Sequence, residues 1–140
     1  MKRVALIVLT MLALSIMPTR LAQARDVSLV GHWVHCDQQK GCYRIAFFPG
    51  GSVIAQYPVE GTTVTARGKY RLRDGVLKMR WHSASPKRVC VANAGDPAGG
   101  QTCHKTRQHN MKGQVTFTGF NKLSWSVPGE TPMELDRVQE

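Results

Sequence analysis

Val64-Thr65-Ala66-Arg67-Gly68-Lys69-Tyr70-Arg71-Leu72-Arg73-Asp74-Gly75-Val76-Leu77-Lys78-Met79-Arg80-Trp81-His82 is the stretch that decides the fold. It alternates with period two, so successive side chains fall on opposite faces of an extended strand. Val64, Ala66, Gly68, Tyr70 and Leu72 share one face, and Thr65, Arg67, Lys69, Arg71 and Arg73 share the other. Asp74-Gly75 supplies the two residues that a type I′ turn needs at positive φ. Beyond the turn, Leu77, Met79 and Trp81 continue the apolar face, while Val76, Lys78, Arg80 and His82 continue the other. A two-residue turn fixes the register. Arg71 is predicted opposite Lys78, Tyr70 opposite Met79, Lys69 opposite Arg80, and Gly68 opposite Trp81. The Trp81 ring can then lie over the bare Gly68. A slip by one residue would drive every charge into the core, so the pairing is strongly specified.

Working outward, the same alternation predicts strands over Val30–Cys36, Cys42–Phe48, Ser52–Tyr57, Gln114–Gly119, Leu123–Val127 and Met133–Val138. Pro49-Gly50-Gly51, Asn121-Lys122 and Pro128-Gly129-Glu130 punctuate them. Ser83 to Gly113 reads as a long loop rich in Pro, Gly, Asn and charge. Eight short antiparallel strands in one small domain predict an all-β, up-and-down barrel, since closure removes exposed sheet edges. A two-sheet sandwich is the alternative.

The chain opens with Lys2-Arg3, an apolar run from Val4 to Met17, and Ala22-Gln23-Ala24. That is the pattern of a cleaved export signal, predicting a periplasmic or secreted protein that begins at Arg25. The apolar run is too short to span a bilayer as a helix, which takes about 20 residues. Of 19 Lys and Arg, the leader removes Lys2, Arg3 and Arg20, leaving 16 against 9 Asp and Glu. One domain of this size with that excess of cations favours acidic partners. Cys36, Cys42, Cys90 and Cys103 form an even set in an exported chain, which predicts two disulfides. Three pairings are open. Cys36–Cys42 and Cys90–Cys103 are favoured because each closes a short polar loop.

Gly31-His32-Trp33 at the head of the first strand resembles the Gly-Xaa-Trp of lipocalin-type barrels. Phe47-Phe48-Pro49-Gly50-Gly51-Ser52-Val53 and Gly68 to Leu77 resemble hairpins of small bacterial lipocalin-like domains. The resemblance implies a closed barrel whose tryptophan plugs one end. A second resemblance is to periplasmic inhibitors of secreted metalloproteases, small barrels with a Gly-Xaa-Trp and an early disulfide. It implies that Arg25-Asp26-Val27-Ser28-Leu29 would enter a protease cleft.

Recognised catalytic motifs are missing from the sequence: it has no Gly-Xaa-Ser-Xaa-Gly, no His-Glu-Xaa-Xaa-His and no phosphate-cradling glycine loop. No cofactor is expected. His32 and His35 lie three apart on a strand and point to opposite faces, so they cannot share a metal from one surface. Zinc through Cys90, Cys103, His104 and His109 fits no common module. The candidate site is the basic face of Arg67, Lys69, Arg71, Arg73, Lys78 and Arg80, which Lys87, Arg88, Lys105, Arg107 and Lys112 could extend. Like charges directly across a strand pair destabilise it. This face therefore reads either as a solvated, solubilising surface or as a binding site for anions. No aromatic is interleaved for base stacking, which argues against nucleic acid. The leading expectation is a non-enzymatic binding protein for an acidic protein or an anionic envelope component. The alternative is an inhibitor or immunity-type protein that blocks a secreted enzyme.

Overall fold

The computed structural model describes residues 28–139, so the predicted export signal and the predicted start at Arg25 lie outside the described residues. The described residues form ten strands: β1 Gly31–Asp37, β2 Gly41–Phe47, β3 Ser52–Val59, β4 Thr62–Arg73, β5 Val76–Ser85, β6 Arg88–Ala92, β7 Gln101–Lys105, β8 Met111–Phe117, β9 Lys122–Ser126 and β10 Met133–Arg137. Eight close into the expected barrel, in the order β1-β10-β9-β8-β5-β4-β3-β2, and every pairing is antiparallel. β6 and β7 stand apart as a two-stranded hairpin. Among the described residues no helix is long and apolar enough to cross a membrane.

The β4–β5 register is the one the turn dictates. Arg73 faces Val76, Arg71 faces Lys78, Lys69 faces Arg80 and Gly68 faces Trp81. Asp74 and Gly75 carry φ of 52° and 74°, as a type I′ turn requires. Above Trp81 the pairing skips His82, so that Arg67 faces Ser83 and Ala66 faces Ala84. This bulge returns Ala84 to the inner face after two consecutive exposed residues. Gly68 is needed there for close approach. A Cβ on it would sit 2.2 Å from the Arg80 carbonyl oxygen and 3.1 Å from the Trp81 Cα, so backbone, and not the Trp81 ring, sets the constraint.

Two predictions are corrected. Tyr57 does not end its strand: β3 runs to Val59 and turns through Glu60-Gly61, at φ 47° and 75°, into Thr62. Pro58 lies within β3 opposite Thr63. The stretch from Ser83 to Gly113 is not one loop either. β5 continues to Ser85, β8 begins at Met111, and between them β6 and β7 pair from Arg88↔Lys105 to Ala92↔Gln101.

Both predicted disulfides form. Cys36 lies opposite Cys42 across β1–β2, and Cys90 opposite Cys103 across β6–β7. The barrel is filled by Trp33, Ile45, Phe47, Val53, Leu77, Met79, Trp81, Leu123, Trp125 and Leu135, all buried. Tyr70, on the apolar face of its strand, and Phe117 are half-buried against it. Tyr70 keeps its hydroxyl at the rim, donating to the Phe48 carbonyl at 3.0 Å.

Candidate functional site

Connections at residues 48–51, 74–75 and 118–121 fall at one end of the barrel, because successive strands reverse direction. Trp33 plugs this end, 1% exposed, and its indole donates to the Leu29 carbonyl at 2.8 Å. Arg137 from β10 lies over the Trp33 ring, 4.3 Å from its centroid. The same guanidinium donates to the carbonyls of Phe120 (3.0 Å), Val30 (2.8 Å) and Ser28 (2.5 Å). A planar fork with several donors suits that convergence, and an ammonium could not reproduce it. The plug matches the Gly-Xaa-Trp expectation, whereas Arg137 went unnoticed in the sequence. Of the segment matched to the protease inhibitors, Leu29 is buried in the barrel's own core and Ser28 is held by Arg137.

The other end is covered by the excursion that carries β6 and β7. Tyr43 and Tyr57 stack with centroids 6.1 Å apart. The Tyr57 hydroxyl donates to the Thr106 carbonyl at 2.5 Å, and the buried Thr106 hydroxyl donates to the Pro86 carbonyl. Gln108 sits against both phenols. Burial raises the Tyr43 phenol well above its ordinary range, and the neighbouring Tyr57 adds to this.

The charged face lies on the wall between these ends. Arg71 of β4, Lys78 of β5 and Lys112 of β8 lie directly opposite one another, on one rung across three neighbouring strands. Two rungs along, the next on this face, Lys69 faces Arg80. All five side chains are exposed. They line a depression of about 610 Å³ together with Arg73 at its turn end, and its one acidic lining residue is Asp74. Asp74 is 3.6 Å from Arg73, an exposed pair of little energetic weight. Like charges set directly opposite one another in this way work against the strand pairing.

Five of the six residues singled out in the sequence, Lys69, Arg71, Arg73, Lys78 and Arg80, are thus brought together. Arg67 is on the same outer face but beyond the bulge, opposite Ser83 and Ile54, and does not line the depression. Lys112 joins, whereas Lys87, Arg88, Lys105 and Arg107 belong to the excursion at the far end and do not. The exposed positions of Lys112, Gln114 and Thr116 carry the period-two signal that places Lys112 on this wall.

A second depression, of about 260 Å³, lies on the outer face of β1, β2 and β3, where His32 meets Phe48 edge to face at 6.1 Å. Among the described residues no group of three or more His, Cys, Asp and Glu is gathered closely enough to hold a metal ion.

No protein-family model matches the sequence, and no curated protein matches it. Among solved structures the chain is similar to a lipocalin-like protein from Bacteroides uniformis, 16% identical, with a TM-score of 0.47 over 79% of this chain and 98% of that one. It is also similar to an uncharacterized protein from Bacteroides eggerthii, 14% identical, with a TM-score of 0.44 over 79% of this chain and all of the other.

Proposed function

We propose that this chain is an exported, non-enzymatic binding protein, and that its partner is an acidic protein or an anionic component of the cell envelope. The observation that carries this reading is the pair of like-charged rungs, Arg71–Lys78–Lys112 and Lys69–Arg80, around a depression with one acid in its lining. A barrel wall has no folding reason to gather cations so closely, because the arrangement opposes pairing. A bound anion removes that repulsion and gains charge-assisted hydrogen bonds. Two cross-strand disulfides are in keeping with an oxidising compartment such as the periplasm.

The test is a Lys69→Gln, Arg71→Gln double variant. Envelope extract is passed over the immobilised wild type and variant at low and high salt, and retained proteins and lipids are identified. The expected result is a partner held by the wild type, released by salt, and lost from the variant. The variant should also unfold at a slightly higher temperature, because two repulsive pairs are gone. Equal retention with an unchanged salt response would assign the cations to solubility.

A further inference from the structure

The arrangement of the cations says more than their number, and the inference drawn from it rests on the anion-binding reading above. Cations on adjacent strands are about 5 Å apart at the backbone, and those two residues apart on one strand about 7 Å. Arg71, Lys78 and Lys112 therefore form a row across three strands, and Lys69 with Arg80 a second row beside it. A single small anion would neutralise one pair and leave the other rung repelling. An elongated ligand with several anionic groups relieves both at once.

The walls narrow the ligand's chemistry. Apart from Val76 and part of Tyr70, the lining is charged. There is no apolar pocket of the kind that anchors a protein partner through a buried aromatic or aliphatic side chain. Lys78 is paired on both sides, with Arg71 and Lys112, while β4 beyond Tyr70 and β5 beyond Met79 each have a ladder partner on one side only. Binding strength at the charged lining then comes from ion pairing, which favours the ligand with most charge per unit length. Linked phosphates carry one charge on each internal group and up to two at an end, follow one another more closely than the side-chain carboxylates of a peptide, and pair with an Arg fork in bidentate fashion.

We propose that the β4–β5–β8 wall binds a linear array of phosphate groups, spaced closely enough to meet both rungs at once. Such an array exists as a free polyphosphate chain and as the headgroups of a phospholipid surface.

Titration of the purified protein at low salt with inorganic phosphate, pyrophosphate, tripolyphosphate and hexaglutamate tests it. Affinity should rise along the phosphate series, with tripolyphosphate at least about tenfold tighter than inorganic phosphate. Hexaglutamate should bind more weakly than tripolyphosphate. Lys78→Gln, which removes the centre of the longer row, should flatten the dependence on chain length, and Arg44→Gln on β2 should not. Thermal unfolding of each variant checks that the barrel is retained, and Lys112→Gln repeats the test from a different strand. Phosphatidylcholine vesicles with and without phosphatidic acid separate the sources. Vesicle binding that depends on Lys78 assigns the site to headgroups, and tripolyphosphate binding without vesicle binding assigns it to the free chain. Equal affinity along the series, or hexaglutamate binding more tightly than tripolyphosphate, overturns the phosphate array and leaves an acidic-partner site standing. No binding of any anion overturns both.

Discussion

Gly68 sits where two backbones are closest. Because a Cβ there would strike the Arg80 carbonyl, and not a side chain that can swing away, the strands would have to part. Gly68→Ala should therefore destabilise the barrel by about 1–3 kcal/mol, read from the denaturant midpoint. Trp33→Ala removes the plug under Arg137 and should cost about 3–5 kcal/mol in the same measurement. A change under about 1 kcal/mol would show that Trp33 does not close its end. These two residues differ in how far the sequence discloses them. Trp33 follows Gly31 at the head of an alternating strand, and its burial is legible. Gly68 is legible as a position opposite Trp81, but the neighbouring bulge is not. His82 and Ser83 are both polar, and nothing local says which of them the partner strand will skip. Arg137 is hidden for a related reason. Its three carbonyl partners lie on segments 17 to 109 residues away in sequence.

At the scale of elements, the β4–β5 hairpin was the most legible part of the molecule, because turn chemistry and alternation agree there. The β3–β4 turn was not, since Glu60 is an unusual residue at positive φ and Pro58 argues against a strand. The β6–β7 hairpin has little alternation to read: Val89 is buried and Val91 half-buried on one face of the short β6, and β7 is exposed throughout. An isolated two-stranded hairpin is marginal in water, and here Cys90–Cys103 joins its middle rung. Cys90→Ser with Cys103→Ser should expose residues 88–105 to proteolysis while the barrel's unfolding midpoint moves by less than about 1 kcal/mol. The tyrosine cap beneath the hairpin predicts a pH dependence. The folded Tyr43 holds its proton to a higher pH than the ordinary phenol value of 10.0. The native state then binds more protons than the unfolded chain above that pH, so stability falls as the solution is made more alkaline. Tyr43→Phe should lessen that fall in a series of alkaline melts.

At the scale of the whole molecule, charge is unevenly placed. The cationic wall spans β4, β5 and β8, whereas Glu134 and Asp136 are exposed on β10, which lies across the ring from β4. The candidate site was legible as a strip on one hairpin because two strands and a turn carry it. Its third strand was not, since β8 reaches β5 only after the 25-residue excursion between Ser85 and Met111. The ring itself is joined at β1–β10 by two rungs, Trp33↔Arg137 and Val34↔Asp136. A protein ending at Ser126 would leave the facing edges of β1 and β9 bare, and should aggregate where the full chain stays dispersed, as light scattering during refolding would report. That seam also imposes an order of events. The strand synthesised first waits for the strand synthesised last, so a chain emerging amino end first carries an unfinished sheet until β10 arrives. Closure is the longest-range contact in the domain and belongs to the slow side of folding. On the export proposed above, that delay would be an advantage: the barrel cannot lock before β10 has been made.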